Sequence, residues 1–131
     1  MIEAQPQPSA PEPSEADDAS IARGIAALND RFRATLGRDP TAPGKIVVTR
    51  GVAAQGDAFV NAALAAVAAF DAFDAAGDPY GEHEFGVLSV AGVTVWFRID
   101  AYDVDYQYGS DDPADPARTR RVLTLLLPDE Y

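Results

Sequence analysis

Phe85-Gly86-Val87-Leu88-Ser89-Val90, then Ala91-Gly92, then Val93-Thr94-Val95-Trp96-Phe97-Arg98-Ile99-Asp100-Ala101-Tyr102 is the most ordered piece of patterning in this sequence. Two β-rich runs are separated by a two-residue turn whose glycine can take a positive φ, which predicts a β-hairpin. In the second run Val93, Val95, Phe97, Ile99 and Ala101 point one way and Thr94, Trp96, Arg98, Asp100 and Tyr102 the other. Successive side chains in a strand face opposite sides, so one face is core and the other is wet or covered by a partner. Arg98 and Asp100, two apart on the wet face, are expected to form a structural ion pair.

Upstream, Ile21, Ile25, Leu28, Phe32 and Leu36 recur at spacings of four, three, four and four. That predicts a helix capped at Ser20 and ended by Gly37, with Arg23, Asp30 and Arg33 off its apolar face. Lys45 to Thr49 is a short β-branched strand stopping before Gly51, and Asp57 caps a second helix running to about Asp74. Its wide apolar arc, from Phe59 and Val60 through Leu64 and Val67 to Phe73, suggests burial on more than one side. The final segment, Arg118 to Leu127, could be a strand or a short helix, and the compact apolar run Val122 to Leu127, halted by Pro128, favours the strand. The order α-β-α-β-β-β predicts an α+β domain, two helices on one face of a mostly antiparallel sheet of about four strands.

Residues 1–18, rich in Pro, Gln, Ala, Ser and acids, are expected to be a disordered acidic tail preceding a single domain over 19–131. That tail has neither the basic start nor the apolar stretch of a targeting peptide, the longest Ala-rich run is too short for a bilayer, and cysteine is absent. These features predict a cytoplasmic protein without disulfides or Cys-ligated metal.

The chain of 131 residues carries a formal net charge of −11, which argues against direct nucleic-acid or anionic-membrane binding. The charge is unevenly spread. Residues 19–70 carry six basic and three acidic side chains, a balance of +3, whereas residues 71–115 carry one basic against eleven acidic, −10. The acids are Asp71, Asp74, Asp78, Glu82, Glu84, Asp100, Asp103, Asp105, Asp111, Asp112 and Asp115, opposed by Arg98 alone and interleaved with Tyr80, Trp96, Tyr102, Tyr106 and Tyr108. Carboxylates accept bidentate arginine and aromatic faces attract cations, so this segment suits a basic protein partner. Asp100, Tyr102, Asp103, Asp105, Tyr106, Asp111 and Asp112 are the candidate partner-binding residues. The blander reading is that acidic loops keep the protein in solution.

Enzyme chemistry finds thinner support. His83, the one histidine, sits between Glu82 and Glu84, which could orient it as a general acid or base in a small hydrolase or nuclease. Asp100, Asp103, Asp105, Asp111, Asp112 and Asp115 offer hard oxygen ligands for Ca²⁺ or Mg²⁺, but the EF-hand spacing is missing. No phosphate-binding loop, dinucleotide fingerprint or nucleophile elbow occurs, and no cofactor or metal site is expected. Ser110, in Gly-Ser-Asp, fits turn chemistry.

Several landmarks coincide with one family. They are Ala27-Leu28-Asn29-Asp30 with Phe32, Gly81-Glu82-His83-Glu84-Phe85-Gly86, Trp96-Phe97-Arg98-Ile99-Asp100 with Tyr102-Asp103, Tyr108-Gly109-Ser110 with Asp112-Pro113-Ala114-Asp115-Pro116, and Arg121-Val122-Leu123-Thr124 with Glu130-Tyr131. From Asn29 onward the chain resembles the bacterial family catalogued as domain of unknown function 3768, departing from it at Arg98, where lysine is common, and Ala101, where an aromatic is common. The resemblance implies a small domain often met on plasmids and other mobile elements and implies no activity. Together with the acidic segment it suggests a non-enzymatic interaction protein binding a basic partner, in its sharpest form a nucleic-acid mimic that inhibits a DNA- or RNA-binding defence protein of restriction or CRISPR type. A third reading is an oligomeric accessory protein whose Thr94, Trp96 and Tyr102 face is buried against another copy.

Overall fold

The computed structural model describes residues 13–131. Helix α1 spans Pro13–Thr35, strand β1 Gly44–Val48, a single helical turn α2 Arg50–Ala53, helix α3 Asp57–Ala69, strands β2 Phe85–Val90 and β3 Val93–Tyr102, and strand β4 Arg120–Leu126; 3₁₀ turns at Pro116–Arg118 and Pro128–Glu130 flank β4. The sheet order is β1-β4-β3-β2, with β1 parallel to β4 and the other pairs antiparallel. This is the expected α+β architecture, with a third short helix added.

The hairpin forms as its sequence dictates. Ala91 and Gly92 have φ of 50° and 80°, the paired positive values that a twisted two-residue hairpin turn demands. Phe85 pairs with Arg98 and Val90 with Val93. Val95, Phe97 and Ile99 are buried beneath the helices, together with Leu88 and Val90 of β2 and Leu123 and Leu125 of β4. On the other face, Trp96 is held edge-on between Phe85 and Tyr131, with ring centroids 5.5 and 5.7 Å away. The Arg98–Asp100 ion pair is present there at 3.2 Å.

Four expectations need correction. Helix α1 already includes Pro13, so residues 13–18 of the expected tail belong to it, and the remainder of that tail lies outside the described residues. Asp17, Asp18 and the alanines suit a helix, and acids toward its N-terminal end are favoured by the helix dipole. Second, Arg33 is not off the packed face: it is 4% exposed, and Asn29 beside it is equally buried, whereas Ile21 is half exposed. The buried face therefore runs Ile25, Leu28, Asn29, Phe32 and Arg33, a stripe rotated slightly from the all-apolar one. Third, α3 starts after Gly56, stops at Ala69 and is buried along one side, at Ala63 and Val67; Ala62, Ala65 and Ala69 face solvent. Alanine is apolar but is also the strongest helix former, so an alanine-rich arc does not by itself imply packing. Fourth, α2 was unanticipated. Thr49 caps it by accepting from the Val52 N–H and donates to Glu130 Oε1 at 2.6 Å, while the Gly51 N–H donates to the same carboxylate. That tie to the chain's last turn is long-range and invisible in local pattern.

Among the described residues no helix is long and apolar enough to cross a membrane.

Candidate functional site

The register determines where the acids go. β2 begins where β3 ends, as the Ile99 N–H bond to the Glu84 carbonyl at 2.7 Å makes plain. The segment before β2, 71–84, and the segment after β3, 103–115, therefore meet at one end of the sheet, and the two acidic stretches form one pole.

The first stretch and the end of β3 share one electrostatic field. Glu84 is pushed up to about 7, first by burial, then by the neighbouring Glu82 and by the negative charge of Glu82, Asp78 and Asp100. Asp100 comes from the end of β3 and Asp78 from the preceding loop. The sign of the consequence follows directly. The folded-state value lies above the ordinary 4.5, so the folded protein holds this proton more tightly, and the associated stability is full below about pH 4.5 and lost as pH rises through about 7. Glu84→Gln should remove that loss. Relative to wild type, the variant is expected to gain on the order of 1 kcal/mol between pH 5 and pH 8, a value reduced for solvent screening at a half-exposed group. Urea midpoints at the two pH values check it; a difference that does not change with pH would contradict the assignment.

The 71–84 segment is built around Asp78 and His83. Asp78 is 9% exposed, and its carboxylate accepts the backbone N–H groups of Glu82 and His83 at 3.1 and 3.2 Å, closing the turn that sets His83 at a φ of 59°. The expected partners of His83 were Glu82 and Glu84. The observed ones are Asp30 of α1, 2.9 Å from Nδ1, and Asp78, whose carboxylate faces Nε2 at 3.6 Å. The left-handed turn at His83 aims the ring at α1 and Asp78, and neither Glu82 nor Glu84 comes within ion-pair distance of it. The ring also stacks on Phe73 at 4.0 Å and 2°. With both ring nitrogens facing carboxylates and one ring face covered, His83 fastens the loop to α1. Asp78→Ala should cost about 2 kcal/mol, by leaving two backbone donors short of their acceptor. A change in urea midpoint equivalent to less than about 0.5 kcal/mol would remove this account.

Behind the loop lies a buried polar network that sequence reading did not find. Arg121 of β4 is fully buried; its Nε donates to Asn29 Oδ1 and its Nη2 to the Pro113 carbonyl, both at 2.6 Å, and Asn29 Nδ2 donates to the Glu82 carbonyl at 2.8 Å. Arg33 donates through Nη2 to Asp30 at 2.9 Å and to the Phe70 carbonyl at 3.0 Å, with its guanidinium 4.9 Å from the centre of the Phe73 ring. The two arginines thus tie both acidic segments to the helical layer. The available signal was the placement of Asn29 and Arg33 four apart beside Phe32, polar residues at core spacing.

The candidate partner-binding residues share the pole but not one environment. Asp103 is occupied with its own turn, accepting the Asp105 and Gln107 N–H groups at 3.1 Å each. Asp112 is half-buried and bonded to Ser110 and Thr119 through its backbone. Tyr106, at a φ of 58°, holds the Lys45 ammonium 4.3 Å from its ring centre, and Asp100 is paired with Arg98. Tyr102 ends β3, half-buried. Asp105 and Asp111 are exposed, as are Asp71 and Asp74 across the pole. Asp103 and Asp111 come together at a small cavity of about 210 Å³ shared with Arg118. Ser110 does turn work, its hydroxyl 2.7 Å from that of Thr119. Among the described residues no three carboxylate or histidine groups converge as metal ligands would.

No curated protein and no solved structure matches the chain. One family model does, over residues 48–130, which takes in α2, α3, β2, β3, β4 and the whole acidic pole but not α1. The landmarks Asn29 and Asp30 thus lie outside the matched span, although their side chains bond to residues within it. The chain belongs to the family described as Protein of unknown function (DUF3768).

Proposed function

We propose that this is a non-enzymatic interaction protein that presents its acidic pole to a basic protein. The single observation that supports this reading is the register of β2 and β3, which gathers both acidic segments at one end of the sheet instead of scattering them. A segment of −10 with one arginine, itself ion-paired, is a concentrated negative field. Clustered charge of one sign raises the local concentration of an oppositely charged partner and speeds encounter. In its sharpest form the partner is a nucleic-acid-binding protein whose phosphate channel the pole occupies, as an inhibitor of a restriction or CRISPR effector would.

The test uses aspartates with no turn to hold. Asp71, Asp105 and Asp111 are exposed and their side chains make no hydrogen bond among the described residues, so Asp71→Lys, Asp105→Lys and Asp111→Lys combined should leave the fold intact. Wild type and the triple variant would each be used to capture proteins from a host lysate, and the captured partner then titrated at increasing salt. The expected result is a basic partner whose affinity falls at least a hundredfold in the variant, with a shallower salt dependence. Equal affinity and equal salt dependence for the two proteins would overturn the proposal.

A further inference from the structure

We infer that the free edge of β2 is a docking site for an extended segment of the partner, one that carries an apolar side chain flanked by Arg or Lys. The hydrogen bond from Ile99 to Glu84 makes 84 and 99 a bonded pair, so Gly86, Leu88 and Val90 also bond toward β3. Phe85, Val87 and Ser89 therefore aim their N–H and C=O groups away from the sheet, and among the described residues no hydrogen bond reaches them. Protein edges are normally blunted by charge, proline or a bulge. Phe-Gly-Val-Leu-Ser-Val contains neither charge nor proline, and Val87 is half exposed, whereas the opposite edge, β1, carries Lys45.

A pocket of about 210 Å³ opens beside this edge, on the helical side, between β2 and the 70–77 segment, and Phe70, Phe73 and Gly86 form its apolar wall. It falls short of the roughly 300 Å³ at which small-molecule sites begin, yet exceeds the roughly 150 Å³ cavity that accepts a benzene ring, so it suits one large side chain of a docked strand. Strand addition supplies affinity through the backbone and selectivity through such a pocket. The rim is negative, with Asp74 lining the pocket and Asp71 nearby, which selects a basic segment. A second copy of this chain is disfavoured as occupant because each copy carries −11.

This inference rests on the basic-partner reading, and the test separates the two. The probe is a ten-residue peptide alternating threonine with arginine around a central phenylalanine, compared with a version in which glycine replaces phenylalanine and a version in which glutamine replaces each arginine. Full-length protein is titrated with each and followed by amide NMR and hydrogen exchange. The expected result is that the first peptide protects the Phe85, Val87 and Ser89 amides, that both control peptides bind at least tenfold more weakly, and that Ala72→Leu, which fills the pocket, weakens binding tenfold while leaving the remaining amide spectrum unchanged. Arginine-dependent binding whose signals lie on 103–115 and spare β2 would overturn the edge site and leave the basic-partner reading standing. Binding that is indifferent to arginine would overturn the charge selection, and binding of none of the peptides at millimolar concentration would overturn the site. Protection of the three amides in the protein alone would mean that the edge is already occupied, and would overturn it as well.

Discussion

Truncating Phe97 to alanine is expected to destabilise the protein by about 4 kcal/mol, the upper part of the range for a buried aromatic that leaves a cavity. Phe97 is fully buried at the centre of the sheet, and the edges of Phe70 and Phe73 meet its ring at centroid distances of 5.2 and 6.4 Å. The Arg33 guanidinium lies 5.8 Å from it. The ring occupies space that its cross-strand neighbour gives up: a Cβ on Gly86 would stand 2.2 Å from Phe97 Cε2 and 2.9 Å from Phe70. Glycine at that position is there for room, since it has no positive φ. Gly86→Ala alone should therefore cost about 2 kcal/mol through overpacking. Gly86→Ala combined with Phe97→Leu should cost at least about 1 kcal/mol less than the two single changes added together, because the smaller side chain vacates the clash. Urea unfolding of the four proteins measures the coupling, and simple additivity would show that the two residues do not share that space.

Replacing Arg121 by alanine should cost about 3 kcal/mol. Burial lowers Arg121 to about 10, so it remains charged at neutral pH, and it does so with no carboxylate within ion-pair distance among the described residues. Two of its nitrogens reach neutral acceptors, Nε the Asn29 amide oxygen and Nη2 the Pro113 carbonyl, at 2.6 Å each, while Nη1 is buried with no partner among the described residues. Hydrogen bonds to a charged group contribute about 1.5–3 kcal/mol apiece, and their loss leaves both acceptors buried; relief from burying a guanidinium offsets part of that. Arg121→Met keeps most of the packed volume and sheds the charge, so it should cost less than the alanine change. The informative readout is local. Because Arg121 holds Pro113 and, through Asn29, the Glu82 carbonyl, amide exchange should accelerate in 78–84 and 110–116 more than in the β2–β3 hairpin. A loss of under 1 kcal/mol, or acceleration spread evenly over the domain, would contradict this role.

Much of the architecture was legible because period-two alternation and turn glycine are local signals. The hairpin boundaries at Phe85, Val90, Val93 and Tyr102 and the strand ending before Pro128 follow from them, and one buried face with helices above it follows from the pattern of Val95, Phe97 and Ile99. The site was legible only as a quantity of charge. Which acids are free depends on hydrogen bonds that cross the chain or close a turn. Asp103 and Asp78 spend their carboxylates on backbone donors, whereas Asp71, Asp105 and Asp111, no different in composition, do not. His83 shows the same limit: its partner Asp30 is 53 residues away, and no local rule selects it over Glu82 or Glu84.

The sequence by itself determined the class of fold, the −10 of residues 71–115 and the family, since these rest on periodicity, turn chemistry and residue identity along the chain. Only the tertiary structure decided that the two acidic segments form a single pole, that two arginines anchor it from inside, and that among the described residues β2 has an open edge beside an apolar pocket. The physical reason is that strand pairing joins residues remote in sequence, and a polar group's role depends on whether burial and a bonding partner reach it, which composition does not encode.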